Sequence, residues 1–374
     1  LDARLTVEDK IAALGAPMPI DGSHALARMV WMAENRPDLW AETAHVLAPK
    51  DWVIARLTGR VVADPISLVG LVGTDLGYAA PVLALVDRAA DVLPPLADPL
   101  DIAGRVADGP FAGVPVAVGT MDAWASMFGV GVAAEGQAMN LSGTSEVLGL
   151  ISATRHPVPG AITFAPWRGI TLHAGPTAAG GAALDWIARV LGRTPAEAAV
   201  LAEGVGLRDD SPLFLPHLNG ERAPLWDAQA RGTFAGLTAA DGAAEMVLAV
   251  MEGVAFSARL ALATLEAAGG RRPALVQGGG GGTGSDLWCR LRADAFGRPF
   301  ARMAARDAGA VGALVMAGVA AGLIPDLADA AARLVPVDRV FEPTPEGAAR
   351  ADRRFALWRA LYDGVRAVNT GLAG

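Results

Sequence analysis

The spacing of apolar and polar positions divides the chain into two stretches of different character. In the first stretch, apolar residues recur at three- and four-residue spacing, which predicts amphipathic helices over 6–14, 22–35 and 48–57. A proline-rich segment at 93–99 precedes the short apolar run 114–120, which predicts a buried strand. A further helical pattern begins directly after this strand.

The second stretch follows a polar turn and opens with patterns that predict two hairpins, 138–152 and 161–176. Further helices are predicted over 181–192, 195–203, 240–268, 286–296 and 307–323, and further strands over 273–277 and 299–303. This alternation predicts an α/β fold. We assign residues 1–134 to a first domain and 135–374 to a second one, which ends in an amphipathic helix at 346–368.

Composition narrows the class of protein. With 374 residues, 52% of them hydrophobic and 19% charged, the chain is predicted to fold around a substantial core. A net charge of −8 with interspersed signs argues against a nucleic-acid partner. Cys289 is the only cysteine, which predicts a reducing, cytoplasmic location. With one cysteine and five scattered histidines, we predict no protein-bound metal site.

One uncharged segment, 308–325, approaches the length of a membrane-spanning helix. It consists mostly of alanine and glycine, lacks aromatic belts and is bounded by Asp307 and Asp326. We therefore predict a tightly packed internal helix and no membrane partner.

Five consecutive glycines at 278–282 lie between a predicted strand and a predicted helix. A run of glycine is costly in conformational entropy, so it suggests a close approach of the backbone to a ligand. A Walker A phosphate loop is excluded, because it requires a lysine and the chain has only Lys10 and Lys50. Two interpretations remain: a dinucleotide fingerprint, GxGxxG at 279–284 with Asp307 after the next strand, or a platform for an adenosine.

Three other segments carry candidate chemistry. The turn 143–145, Gly-Thr-Ser, offers backbone N–H groups and two hydroxyls to an anion, although such turns also occur without a ligand. Asp122, at the end of a predicted strand, could act as a general base or only cap a helix. The loop 215–238 is rich in charge, glycine and aromatic residues. Within it, we expect Glu221 and Arg222 to form a local ion pair rather than to contact substrate.

Together these segments resemble the FGGY family of carbohydrate kinases. The matching segments, in chain order, are the catalytic-aspartate segment (119–132), the second phosphate motif (140–149), a segment of the xylulokinase and gluconokinase branches with the C-terminal signature (220–252), the adenosine motif (280–288) and the helix after it (307–318). Ordered matches across 114–320 are far more specific than any one motif.

The resemblance implies two actin-like, ribonuclease H-like domains, of which the first lacks its N-terminal strands. It also implies ATP-dependent phosphorylation of a terminal sugar hydroxyl, with Asp122 as the catalytic base and Mg²⁺ bridging phosphate oxygens. The residues implied to hold the nucleotide are Gly143, Thr144, Ser145, Gly180, Gly181, Gly280, Gly281, Gly282, Ser285 and Asp286. Those implied to contact the sugar are Asp2, Arg4, Met121, Asp122 and Trp124.

The chain also departs from the family pattern in two places. The adenosine motif lacks its usual basic residue, since Thr283 and Gly284 precede Ser285. The first residues resemble a stretch that normally lies well inside the first domain, so the family's first phosphate motif is not found. We therefore expect a fragment of a longer product or a truncated gene, with little or no kinase activity on its own.

Several functions stay open at this point. A ketopentose, D-xylulose first, is the leading substrate, and gluconate, ribulose, a tetrulose or a polyol are alternatives within the family. An NAD-dependent oxidoreductase, based on the GxGxxG match, and an inactive kinase remnant are the alternatives from other classes. A homodimer is possible, because relatives of this kind are commonly dimeric.

Overall fold

The computed structural model describes residues 4–17, 20, 22, 24–305 and 307–372. The first part of the chain is mainly helical, with one two-stranded antiparallel sheet among the described residues. Its elements are α1 (Val7–Leu14), α2 (Ala25–Asn35), α3 (Pro37–Glu42), α4 (Pro49–Thr58), α5 (Ala80–Leu83), α6 (Ala89–Val92), β1 (Ile102–Arg105), β2 (Pro115–Ala117) and α7 (Asp122–Gly129).

The second part combines a large sheet with long helices. Its strands are β3 (Ala138–Ser142), β4 (Glu146–Ser152), β5 (Ile162–Thr163), β6 (Thr171–Pro176), β7 (Leu213–Leu215), β8 (Thr233–Ala235), β9 (Val276–Gly279), β10 (Phe300–Met303) and β11 (Val337–Phe341). Its helices are α8 (Gly181–Val190), α9 (Pro195–Glu203), α10 (Ala243–Gly269), α11 (Asp286–Phe296), α12 (Ala308–Ala320), α13 (Leu327–Leu334) and α14 (Pro345–Leu372).

The large sheet has the strand order β11-β10-β9-β3-β4-β6-β5. Strands β10, β9 and β3 are parallel neighbours, whereas β4, β6 and β5 continue the sheet from β3 in antiparallel orientation, with β5 at the outer edge. Because β3 and β9 are parallel, their carboxyl ends meet at one edge of the sheet, and the segments that follow them lie side by side. This edge carries both predicted nucleotide motifs.

Local sequence explains where several helices begin and end. Thr6 with Asp9 and Thr194 with Glu197 form capping boxes at the starts of α1 and α9. The side chain of Ser285 accepts a hydrogen bond from the Trp288 N–H at the start of α11. These helices agree closely with the predicted ones. The elements that were not predicted are α3, α5, α6, α13, β1, β7, β8, β11 and the 3₁₀ turn after β9.

Helix α7 is joined to the second part of the chain by very close packing against α12. A Cβ on Gly129 would overlap the carbonyl of Ala308, and one on Gly312 would overlap the carbonyl of Ala125. Glycine on both helices therefore lets their backbones touch. This contact fixes Asp122, the first residue of α7, relative to the sheet that carries the nucleotide motifs.

The segment 308–325, predicted to be an internal helix, contains α12, which packs against α7 and α13. Helix α10, by contrast, is long and apolar enough to cross a membrane by length and composition alone. Most of its apolar window is buried inside the protein, where it packs on β4, β6 and β7. The apolar character of α10 is thus accounted for by the core.

Candidate active site

The predicted phosphate turn and the glycine run touch each other at the edge of the sheet. Gly280 has a φ of +87°, and a Cβ there would lie 2.5 Å from the Ser142 carbonyl oxygen. A Cβ on Gly282 would overlap the Ser142 hydroxyl, whereas one on Gly281 would meet nothing within 4 Å. Gly280 and Gly282 are therefore needed for packing against β3, and Gly281 faces open space.

A buried ion pair lies beneath this contact. Arg292 of α11 is completely buried and donates to Glu146 Oε1 at 2.6 Å and to Ser142 Oγ at 2.7 Å. Its other terminal nitrogen donates to the Gly282 carbonyl at 3.3 Å, and its guanidinium stacks 4.5 Å from the Trp288 ring centre. One side chain thus connects both ends of the 143–145 turn with the glycine run. The sequence analysis did not identify Arg292 or Glu146.

Helix α8 begins against the same turn. The Gly181 N–H donates to the Gly143 carbonyl at 2.8 Å, and the Ala182 N–H donates to the Thr144 carbonyl at 3.0 Å. A Cβ on Gly180 would lie 2.6 Å from the Ser145 carbonyl carbon, so the glycines at 180 and 181 permit this approach. The structure therefore brings Gly180 and Gly181 next to the turn, where they were predicted to line the nucleotide side.

Ser285 and Asp286 lie at the start of α11, after the glycine run. The Asp286 carboxylate accepts hydrogen bonds from Arg302, at 2.8 Å, and from Arg339. Arg302 also donates to the Thr283 carbonyl at 3.2 Å, so it ties the 3₁₀ turn to β10. Asp286 is thus engaged in a partly exposed charge cluster beside the predicted adenosine platform.

The predicted catalytic base, Asp122, belongs to the first part of the chain. Asp122 is exposed at the first position of α7, and the preceding residue, Met121, caps that helix. The Met121 N–H donates to Ser67 Oγ at 2.7 Å. An acidic residue in the first turn is favourable for a helix. The carboxylate therefore has both solvent access and a fixed backbone.

A second buried charge cluster supports this backbone. Asp64 accepts from the Ser67 N–H at 2.9 Å and from Thr120 Oγ1 at 3.2 Å. Lys50 Nζ lies 2.8 Å from Asp64 Oδ2 and also pairs with the buried Asp51. It donates to the Val118 carbonyl, the residue after β2, at 3.3 Å. Hydrogen bonds thus run from Lys50 to the residue before Asp122, a network that sequence analysis did not identify.

A cavity of about 670 Å³ opens between the two parts of the chain. Its walls include the apolar side chains Met29, Met32, Leu68, Val69, Met121 and Phe164. Polar groups are contributed by Arg28, Thr43, His45, Ser67 and Arg222. This is the size and mixture of groups expected of a small-molecule site.

Arg222 does not form the expected local ion pair with Glu221. Glu221 is buried and accepts from the N–H groups of Ala178 and Arg222, while its other oxygen lies 2.8 Å from His217 Nδ1. The Arg222 side chain is instead exposed and donates to Ser145 Oγ at 3.3 Å. It thus lies both on the cavity wall and against the phosphate turn.

The other residues predicted to contact the sugar lie in different environments. Asp2 lies outside the described residues. Arg4 is exposed and forms an ion pair with Glu34 at 3.0 Å, and it is not part of the cavity wall. Met121 lines the cavity, but Trp124 is fully buried and packs edge-on against Phe164 and Trp167. Trp124 therefore does not form the pocket wall, because the helical turn points it into the core.

The topology also bears on the dinucleotide alternative. A dinucleotide-binding fold is built on a mostly parallel sheet. In this seven-stranded sheet only β3, β9 and β10 pair in parallel, whereas β4, β5, β6 and β11 pair antiparallel with their neighbours. Asp307, the expected ribose ligand, caps α12 by accepting from the Ala310 N–H at 2.9 Å. The GxGxxG pattern at 279–284 thus arises from the glycine run and not from that fold.

Comparison with known proteins is consistent with this arrangement. Residues 138–321 match the model of the FGGY family of carbohydrate kinases, C-terminal domain. A xylulose kinase of Escherichia coli (strain K12) is 30% identical over an alignment 351 positions long, and this alignment covers 90% of this chain and 72% of that protein. A glycerol kinase of Aromatoleum aromaticum is 31% identical over an alignment 376 positions long, and this alignment covers 93% of this chain and 73% of that protein.

A solved structure extends the likeness to the whole architecture. The ligand-bound xylulose kinase from Lactobacillus acidophilus superposes with a TM-score of 0.90 at 24% identity. The match covers 99% of this chain and 78% of that chain. It confirms the predicted fold, two ribonuclease H-like domains of the actin type.

Proposed function

We propose that this chain, which belongs to the FGGY family of carbohydrate kinases, transfers the terminal phosphoryl group of ATP to a ketopentose, with D-xylulose as the first candidate. Phosphorylation of a sugar with ATP follows from the family. The choice of D-xylulose is supported by relatives named xylulose kinase at 25–30% identity over 90–95% of this chain. A glycerol kinase of comparable identity keeps polyols among the alternatives, with gluconate, ribulose and tetruloses.

One observation carries the proposal. The cavity is bounded on one side by Met121, the neighbour of the exposed Asp122. On the other side it is bounded by Arg222, which is hydrogen-bonded to Ser145 of the phosphate turn. A sugar in this cavity would therefore lie next to both a carboxylate and a phosphate-binding turn, and phosphoryl transfer requires these two groups at the same hydroxyl.

The proposed mechanism assigns a role to each side. Asp122 accepts the proton of the sugar hydroxyl as that oxygen bonds to the γ-phosphorus, and the bond from the γ-phosphorus to the β,γ-bridging oxygen breaks to release ADP. The turn Gly143–Ser145 holds the phosphates by backbone N–H groups and hydroxyls. Gly281, which faces open space, and the start of α11 receive the adenosine.

Magnesium enters the proposal with the nucleotide. Among the described residues, no group of three or more His, Cys, Asp or Glu side chains converges on one point. The chain therefore fits an ion held largely by phosphate oxygens and water, which is how Mg²⁺ commonly binds at kinase sites. When bound, such an ion would neutralise charge on the transferring phosphoryl group.

Three further assignments belong to the proposal. The domain boundary is placed at 134/135, in the turn between α7 and β3, where the chain passes from the helical part to the large sheet. The location is taken as cytoplasmic, because the single cysteine is free and buried. A homodimer is retained from the family resemblance and is testable by light scattering.

The test is a substrate screen with ATP and Mg²⁺. ADP release is measured for the 374-residue chain and for the complete product of its gene, with D-xylulose, D-ribulose, D-gluconate, erythrulose and glycerol as acceptors. We expect release that depends on D-xylulose in at least the complete product, with the phosphorylated sugar as the second product. Sugar-independent or absent release in both proteins would contradict the proposal, and preference for another acceptor would correct the substrate.

A further inference from the structure

We infer that Arg222 binds the phosphoryl group that is transferred, and that it thereby distinguishes ATP from ADP. This inference rests on the proposed function, because it assigns a residue to the same site. The structural basis is the position of one guanidinium, which is in contact with the phosphate turn and forms part of the cavity wall.

The local geometry fixes one terminal nitrogen of Arg222 and leaves the side chain exposed. Nη2 donates to the Thr177 carbonyl at 2.5 Å and to Ser145 Oγ at 3.3 Å. A guanidinium carries five N–H donors in a rigid fork. The donors not used by Thr177 and Ser145 are therefore available to a ligand in the cleft.

The charge of Arg222 is not matched by a carboxylate. Across residues 4–17, 20, 22, 24–305 and 307–372, the ion pairs found do not include Arg222. Its sequence neighbour, Glu221, is fully buried and directs its oxygens to Ala178, His217 and Ser257. An unmatched guanidinium beside an anion-binding turn is a natural ligand for a phosphoryl group, since arginine matches its geometry with two parallel hydrogen bonds.

The loop that carries Arg222 is held before any ligand binds. The buried Glu221 accepts the Arg222 N–H at 2.9 Å, and the Ala223 N–H donates to the Pro176 carbonyl at 3.0 Å. Glu221 also accepts from Ser257 of α10 at 3.2 Å. The backbone on both sides of Arg222 is thus tied to β6 and α10, so little ordering is required when the cleft fills.

The position along the nucleotide follows from the same contacts. The glycine run packs against Ser142 at one end of the turn 143–145, and Arg222, a residue of the cavity wall, contacts Ser145 at its other end. A side chain that reaches from Ser145 toward the cavity would meet the phosphoryl group nearest the sugar. It would not meet the β-phosphate alone, so its loss should weaken binding of ATP more than binding of ADP.

The experiment compares two nucleotides on the same protein. Calorimetry in the presence of Mg²⁺ measures the dissociation constants of ADP and of the β,γ-imido analogue of ATP, for wild type, Arg222→Gln and Arg222→Lys. We expect Arg222→Gln to weaken the analogue by about tenfold or more, since a hydrogen bond to a charged group is lost, and to change ADP by less than about twofold. Arg222→Lys should fall between, because the charge remains but the fork does not.

Arg231→Gln is the matched control, because Arg231 belongs to the same loop and donates only to the Ala228 and Ala230 carbonyls, both at 2.9 Å. Equal loss of ADP and analogue affinity in Arg222→Gln would overturn the inference and assign Arg222 to holding the turn. If Arg222→Gln changes neither the ADP affinity nor the analogue affinity, the inference is also overturned. If wild type binds neither nucleotide, the proposed function fails and this inference fails with it.

Discussion

The two sides of the cleft hold their functional groups by different means. On the nucleotide side, backbone packs on backbone. A Cβ at 280 would overlap the Ser142 backbone at the end of β3, and one at 180 would overlap the Ser145 backbone in the turn 143–145. On the sugar side, Asp122 is placed by side chains, through Ser67, Thr120 and Asp64. The first arrangement depends on glycine residues, which have no Cβ, and the second depends on hydrogen bonds made by polar side chains.

The buried charges beneath the two sides differ in the same way. Arg292 faces one carboxylate, Glu146, and its flat guanidinium stacks on Trp288. Lys50 serves two buried carboxylates, Asp51 and Asp64. Arginine suits a planar, stacked site with several fixed acceptors, whereas lysine is a compact charge that can lie between two anions. The buried cluster beneath the nucleotide side therefore has one carboxylate for one cation, and the buried cluster beneath the sugar side has two carboxylates for one cation.

The largest effect on stability is expected at the buried ion pair of Arg292 and Glu146. Replacing Arg292 by Met leaves Glu146 buried without its partner, and we expect the free energy of unfolding to fall by about 3–5 kcal/mol. The double variant Arg292→Met with Glu146→Gln should recover a large part of this loss, because the uncompensated charge is gone. Urea denaturation of the single and double variants measures the coupling between the two sites.

The control for that cycle is Arg333→Met, which removes an arginine that is mostly exposed and paired with Asp329 on the same helix. It should change the unfolding free energy little, because exposed ion pairs contribute little. If Arg292→Met lowers the free energy of unfolding no more than Arg333→Met does, the buried Arg292–Glu146 pair does not stabilise the nucleotide side.

The next effect separates turnover from binding. Asp122→Asn removes the proposed base without changing the size of the side chain, so we expect kcat to fall by at least about 100-fold, or roughly 2.7 kcal/mol in the barrier. Nucleotide affinity should stay nearly unchanged, since the proposed nucleotide contacts come from other residues. Steady-state kinetics and calorimetry on the complete gene product measure the two quantities. Unchanged kcat would remove Asp122 from this role.

A pair of neighbouring glycines tests the backbone packing. Gly282→Ala places a Cβ onto the buried Ser142 hydroxyl, and we expect it to cost about 1–3 kcal/mol of stability and to weaken ADP binding. Gly281→Ala is the control, because a Cβ there meets nothing within 4 Å, and it should change stability by less than about 0.5 kcal/mol. A similar loss of stability in the two variants, measured by thermal unfolding, would show that the run does not pack as described.

The same contrast explains what the sequence could predict. Glycine runs, capping residues and apolar spacing are local features, so the hairpin 138–152, most of the helices and the turn 143–145 could be predicted from short segments. Lys50 and Asp64 are far from Asp122 in sequence, and Arg292 is 146 residues from Glu146, so no spacing pattern links them. Such contacts depend on the tertiary fold.

One sequence signal could have pointed to the sugar-side cluster. The chain has 31 basic residues, of which only Lys10 and Lys50 are lysines. A lysine in so arginine-rich a chain suggests a site that a planar guanidinium does not fit, and the structure shows Lys50 between two buried carboxylates. Trp124 was ambiguous for the opposite reason, since a tryptophan beside a catalytic residue is equally typical of a core and of a pocket wall.

The smallest effect tests the excess of carboxylates over cations in the buried cluster beneath the sugar side. Burial raises the pKa of the Asp51 carboxyl above its ordinary value of 3.8, against the opposing effect of Lys50. The folded protein therefore holds this proton more tightly than the unfolded chain does. The stabilisation from Asp51 is fully present below pH 3.8 and is lost as the pH rises through the raised pKa of the folded state.

Asp51→Asn, which is neutral at every pH, should therefore be at least as stable as wild type at pH 7, with a difference within about 1 kcal/mol. This advantage should shrink as the pH falls from 7 toward 4, because wild type gains the proton in its folded state. Urea denaturation across that range measures it, with Asp108→Asn as the control for loss of one exposed carboxylate. If Asp51→Asn is clearly less stable than wild type at pH 7, the Lys50–Asp51 attraction outweighs the cost of burial. The sugar side would then be held, like the nucleotide side, by a net favourable charge cluster.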